Sequence, residues 1–196
     1  MTKDTPRTLE EQVTVTCSAP GPHTFTLAAR ISPANPADVD PNPGNDEKTV
    51  TVTIDCVVPV AINIRPHHED NKFSYSTADV KVAILTTRAG EYGLPLDFDA
   101  TTVDVLSVRF GPRTTTWAGG GAPDRRGKGD FRDTWEDANE SVRDGDIDLE
   151  LRFVREETQI PPGTSEACAK GSFTGMGGVA YKFFGCGTII INKPPK

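Results

Sequence analysis

Apolar and polar residues alternate with a period of two along much of this chain, as in Gln12-Val13-Thr14-Val15-Thr16-Cys17 and Thr49-Val50-Thr51-Val52-Thr53-Ile54-Asp55-Cys56. Successive side chains on a strand point to opposite faces, so such a run presents one apolar face and one polar face. No stretch of ten or more residues keeps a 3.6-residue apolar period, and the 18 Gly and 16 Pro fall between short runs rich in Val, Thr, Ile and Phe. The pattern predicts an all-β chain of many short strands.

Two units follow from where the strands fall. Residues 1–57 offer three strands, around 11–18, 23–32 and 48–56, separated by the Pro/Asn/Asp-rich loop from Ser32 to Asp46. Three strands cannot close a sandwich, so this unit is short and incomplete. Its missing strands come either from upstream in a longer protein or from a neighbouring chain that donates them. From Pro59 onward, residues 58–196 supply seven strands: Val60 to Ile64, Val80 to Thr86, Val103 to Phe110, Ile147 to Val154, Ala167 to Phe173, Val179 to Phe184 and Gly187 to Ile191. Seven suffice for an Ig-like β-sandwich. Between them, Ala118 to Ala122 and the charged stretch Asp124 to Asp133 read as one long loop, for binding or merely mobile.

Parity also places the cysteines. Cys17 and Cys56 lie on the apolar side of their strands and face one core, which is what a disulfide between them needs; closing about 40 residues is worth roughly 3–4 kcal/mol. Cys168 and Cys186 flank a hairpin-like segment and pair with each other. A zinc site is the rival reading, but no C-x₂-C spacing exists and the three histidines lie far from the cysteines. Disulfides imply an oxidising compartment, extracellular or at the cell surface. The opening residues lack the pattern of a signal peptide, so the chain reads as a mature or truncated piece.

Charge removes some functions. The net charge is −7, and the one basic cluster, Arg125-Arg126-Gly127-Lys128, lies among acids, which disfavours nucleic acid as a partner. No apolar run approaches eighteen residues, so no membrane-spanning helix is expected.

The acids themselves are informative. Asp137, Asn139, Asp144, Asp146 and Asp148 crowd one turn that runs into an apolar strand, with Gly145 where the backbone must bend. Ca²⁺ takes six to eight oxygen ligands at alternating positions, and like-charged carboxylates this dense repel unless a cation sits between them. The spacing departs from an uninterrupted D-x-[DN]-x-[DN]-G loop, because Glu140 to Arg143 intervene. The alternative is a solvated acidic turn.

These residues carry a resemblance. Val60-Ala-Ile-Asn-Ile64-Arg-Pro66, Val82 to Thr87, Phe98 to Asp104, Val108 to Gly111, the acidic turn, and Glu166-Ala-Cys168 with Phe184-Gly-Cys186 together resemble a calcium-loop β-sandwich module of secreted, often multidomain bacterial proteins. Residues 12–57, with Cys17, Pro20 to Leu27, Asp40 to Asn45 and Cys56, are similar to the end of an Ig-like surface-protein repeat. The resemblance implies an extracellular module with a calcium loop, a recurring C-terminal cysteine pair and no settled enzymatic activity.

Catalytic readings are weak. His67-His68-Glu69-Asp70 offers metal or acid/base groups, but neighbours on a loop point in different directions and no H-E-x-x-H or G-x-S-x-G spacing occurs. No catalytic residue is assigned. Trp117 and Trp135 read first as caps on core edges, with a sugar-stacking platform as the alternative. The leading expectation is a structural protein, braced by disulfides and calcium, that self-associates into a homopolymeric filament or surface layer. The donated strand would be the Thr8 to Cys17 stretch or the Gly187 to Lys196 tail. An adhesive or carbohydrate-binding module clipped from a larger protein, with a glycan as partner, is the alternative.

Overall fold

The computed structural model describes residues 10, 12–15, 17–33, 35, 37, 39–66, 68, 71–74, 76–135 and 143–192. The strands are β1 (Gly21–Arg30), β2 (Glu47–Cys56), β3 (Val58–Pro59), β4 (Ile62–Ile64), β5 (Lys72–Ser74), β6 (Asp79–Ile84), β7 (Val103–Gly111), β8 (Asp130–Arg132), β9 (Asp148–Val154), β10 (Glu166–Thr174), β11 (Ala180–Thr188) and β12 (Ile190–Asn192). Among the described residues a single short α-helix, α1 (Arg113–Trp117), follows β7. The chain is predominantly β, as its alternation predicts.

Two four-stranded sheets, ordered β3-β11-β10-β7 and β4-β6-β9-β8, contribute to one core. From the second sheet come Val80, Val82 and Ile84 of β6 and Leu149, Leu151 and Phe153 of β9; from the first come Val108, Phe110, Ala167, Ala169 and Phe183. Phe110 stacks on Phe153 at 5.0 Å between ring centroids, joining the sheets, and Phe98 meets Phe173 and Phe183 edge-on at 5.1 and 5.6 Å. A small parallel pair, β12 with β5, buries Phe73, Ile189 and Ile191 at one margin.

The segment between α1 and the acidic turn is more ordered than its composition predicts. Ala122 bridges to Phe110, and residues 130–132 form β8 on β9. Asp124, 6% exposed, fastens the loop: its carboxylate accepts the backbone N–H of Arg126, Lys128, Gly129 and Arg152. Charge-assisted bonds of this kind are about twice as strong as neutral ones.

The N-terminal unit differs from expectation. Gln12 to Val15 form no strand, so among the described residues two strands stand where three are predicted. β1 and β2 pair in antiparallel register over ten residues, Gly21 opposite Cys56 and Arg30 opposite Glu47, and bond to no other strand among the described residues. Cross-strand pairs Phe25/Val52 and Leu27/Val50 put the apolar side chains on one face, while Thr24 and Thr53 share a hydrogen bond of 3.2 Å on the other. The apolar face is open to solvent: Leu27 is 46% exposed, Val50 50% and Val52 40%. Among the described residues, the base of this ribbon is what ties it to the rest. Cys56 is buried and bonded to Cys17, and Gly21, at φ +93°, comes so close to β11 that a Cβ would lie 2.9 Å from Tyr181 Cε1. The second disulfide joins Cys168 and Cys186, directly opposite each other on β10 and β11. Both bonds join the cysteines that the sequence pairs.

Phe153→Ala should therefore lower stability by about 3–5 kcal/mol in a urea titration, as expected when a buried ring is removed. Val50→Ser, on the open ribbon face, should cost under about 0.5 kcal/mol in the dilute protein. Comparable losses for the two would place the ribbon inside the cooperative core.

Candidate functional site

β9 is buried on both faces. Its inward residues fill the core, and on the outer face Asp148 and Glu150 are both 0% exposed. A carboxylate without water must find protein partners or give up its charge. For Glu150 the partners are cations: Lys81 Nζ lies 3.3 Å and Arg132 Nη2 2.5 Å from its Oε1. For Asp148 they are backbone donors. Oδ1 accepts the N–H of Thr86 at 2.9 Å and Oδ2 that of Thr134 at 3.2 Å, while the Thr86 hydroxyl donates to the Ile147 carbonyl at 2.6 Å.

Those bonds do not offset burial. Desolvation pushes the Asp148 carboxyl up to about 6, and the neighbouring charges of Asp144 and Asp133 push in the same direction. Asp133 has an oxygen, Oδ1, that is buried and without a hydrogen-bond partner. Asp144 accepts the N–H of Asp146 at 2.9 Å across Gly145, whose φ of +94° a side chain would strain. Asp146 is half-buried and faces an open groove of about 890 Å³, shared with Asp97 and Asp99 and lined on its apolar side by Phe98, Phe173 and Tyr181.

Asp144 and Asp133 lie near enough to Asp148 to raise its carboxyl, and the sequence pattern passes over Asp133 because it lies outside the turn; among the described residues, no three of these carboxylates converge as a ready-made metal cluster. Asp137 and Asn139 lie outside the described residues. Of the histidine cluster, only His68 is described; its backbone N–H donates to the Arg65 carbonyl at 3.2 Å. The Glu166 carboxylate lies beside the sulfurs of Cys168 and Cys186, which are bonded to each other and offer no thiolate to a metal.

The tryptophans separate. Trp135 is half-buried; its carbonyl accepts the Asn63 amide at 2.8 Å, and the Arg143 guanidinium stands 5.8 Å from its ring centroid. Trp117 caps no core edge: it is 53% exposed and sits edge-on to Phe184 at 5.0 Å.

Comparison with known proteins leaves these features as the whole basis for function. No family model matches the chain, and neither does a curated protein or a solved structure.

The raised Asp148 has a stability consequence. The folded protein holds this proton more tightly than the unfolded chain, whose carboxyl titrates near 3.8, so the contribution is full below pH 3.8 and is lost as pH rises through about 6. In excess chelator the loss should amount to about 3 kcal/mol. Urea midpoints at pH 4 and pH 7 measure it: Asp148→Asn should remove that part of the fall, and an unchanged fall in the variant would assign it to other groups.

Proposed function

We propose that this chain is an extracellular structural protein that assembles with further copies of itself through the β1–β2 ribbon. The carrying observation is the open apolar face of that ribbon. Burying Leu27, Val50 and Val52 would be worth up to roughly 1.5–3 kcal/mol apiece, with the half-buried Phe25 and Ile54 adding less, and two ten-residue strands that pair with no further strand among the described residues are a template for strand addition. The two disulfides support an oxidising compartment, and among the described residues no helix is long and apolar enough to cross a membrane.

The donor is best sought at the N-terminal side. Ile189 and Ile191 of the other tail are already buried, at 2% and 8% exposure, in the body of their own chain. Val13 is 59% exposed, and Gln12 to Val15 alternate correctly yet pair with nothing described. A stretch from one chain added to the ribbon of the next is a heterologous contact, which propagates into a filament unless its rotation closes a ring. The reading includes the Ig-like β-sandwich assignment for the two facing sheets.

Calcium belongs to the same proposal. Asp144, Asp146 and Asp148, with Asp133, are hard oxygen donors, and the unpartnered Asp133 oxygen and the raised Asp148 both favour a positive neighbour. A bound cation would supply charge balance and fix the turn against β9.

Two experiments test this. Sedimentation velocity over a hundredfold concentration range should show growing oligomers. Val13→Asp with Val15→Asp (donor) and Leu27→Asp with Val52→Asp (acceptor) should each yield monomers, and an equimolar mixture should give a one-to-one dimer. A wild-type chain that stays monomeric at every concentration rejects the assembly. Calcium at a hundredfold excess over its Kd should raise the melting temperature by about 5–10 °C, and Asp144→Ala should remove the effect. Identical melting in calcium and in chelator rejects the cation site.

A further inference from the structure

The outer face of the β3-β11-β10-β7 sheet carries a depression of about 280 Å³ lined by Ser107, Arg109, Lys170, Ser172 and Lys182, with no acidic side chain in its wall. In a chain of net charge −7 such a concentration of positive charge is a local reversal of sign. It arises from a bulge. The ladder between β10 and β7 shifts register between Lys170, opposite Arg109, and Ser172, opposite Asp104, so that β7 bows outward. Ser107 sits in the bow and closes the gap: its hydroxyl donates to the Asp104 carbonyl at 2.6 Å and accepts the N–H of Ser172 at 2.8 Å. Bulges of this kind aim side chains at a chosen place.

The cations are positioned and largely uncommitted. Arg109 spends Nη1 on the carbonyls of Leu106 and Val108, at 2.9 and 2.7 Å, which leaves its remaining donors for a ligand. Lys170 donates to the Trp117 carbonyl and stands 4.8 Å from that ring's centroid. Neither has a carboxylate partner among the ion pairs of the described residues, whereas Arg113 is held by Glu166 at 2.6 and 2.7 Å and Lys182 by Asp55 at 2.5 Å. The half-exposed indole of Trp117 stands beside Lys170, just outside the lining of the depression.

The geometry points to a binding site for an anionic sugar residue of a polysaccharide, its carboxylate or sulfate ester against Arg109 and Lys170, its hydroxyls toward Ser172 and its ring edge at Trp117. The volume fits about one sugar, and a guanidinium with an ammonium is the donor set that recognises such oxyanions. An extended acidic peptide is the poorer fit, because β10 is already paired on both sides and offers no edge for strand addition.

The test uses calorimetric titration of the full chain in the Leu27→Asp, Val52→Asp background, which separates this site from the assembly reading. The probes are an oligogalacturonate, a heparin-derived oligosaccharide, maltohexaose, poly-glutamate and inorganic sulfate. At least one acidic oligosaccharide should bind, more weakly as salt rises, and the preferred one identifies a uronate or a sulfate ester. Arg109→Ala and Lys170→Gln should each weaken it about tenfold, the loss expected for one charge-assisted contact, with melting temperature confirming the fold. Arg125→Ala, in the loop that pairs with Asp79 beside the other sheet, should leave it unchanged. No binding by either acidic oligosaccharide, equal binding by maltohexaose, poly-glutamate or sulfate, or full affinity in both variants overturns the proposal.

Discussion

Burial of alternating side chains between two four-stranded sheets is the interaction on which the rest of this molecule depends. Phe110 and Phe153 join the sheets ring to ring, and β6, β7, β9, β10 and β11 are positioned by what they contribute to that layer. Two consequences follow from where the layer ends. β9 lies so deep that its outer face is covered as well, which forces Asp148 and Glu150 out of water and makes nearby loops and cations answer for them. The β1–β2 ribbon lies beyond the layer, so its own apolar face finds no strand to cover it among the described residues.

Alternation alone places Leu149, Leu151 and Phe153 on one face of a strand, and they form the inner face of β9. Parity likewise turns Cys56 inward at the end of β2, whereas Cys17 reaches it from outside any strand, so the pairing holds although the strand expected around Cys17 is not there. What local pattern does not carry are elements whose existence depends on neighbours. β8 is Asp-Phe-Arg, polar by composition, and is a strand because β9 offers it an edge; α1 spans five residues, too few for a helical period. Conversely, Gln12 to Val15 alternate as well as any strand in the chain and pair with no strand among the described residues.

The polar site was legible in part for the same reason. The crowding of Asp144, Asp146 and Asp148 is visible in sequence, but the distinction among them is not: Asp148 is sealed and tied to Thr86 and Thr134, while Asp144 shapes the turn from outside. Asp124 and Asp133 look like ordinary members of a charged loop, and only the fold turns one into a four-bond anchor and buries an oxygen of the other. Arg109 and Lys170 are 61 residues apart by number and meet through a strand pairing that no motif records.

Completion of the ribbon by another copy of the chain has a direct signature in amide hydrogen exchange followed by mass spectrometry at several protein concentrations. Outward-facing amides of Gly21–Arg30 and Glu47–Cys56 should gain protection as concentration rises, while those of β9 and β10 stay constant. Ribbon amides that exchange at one rate at every concentration would contradict it.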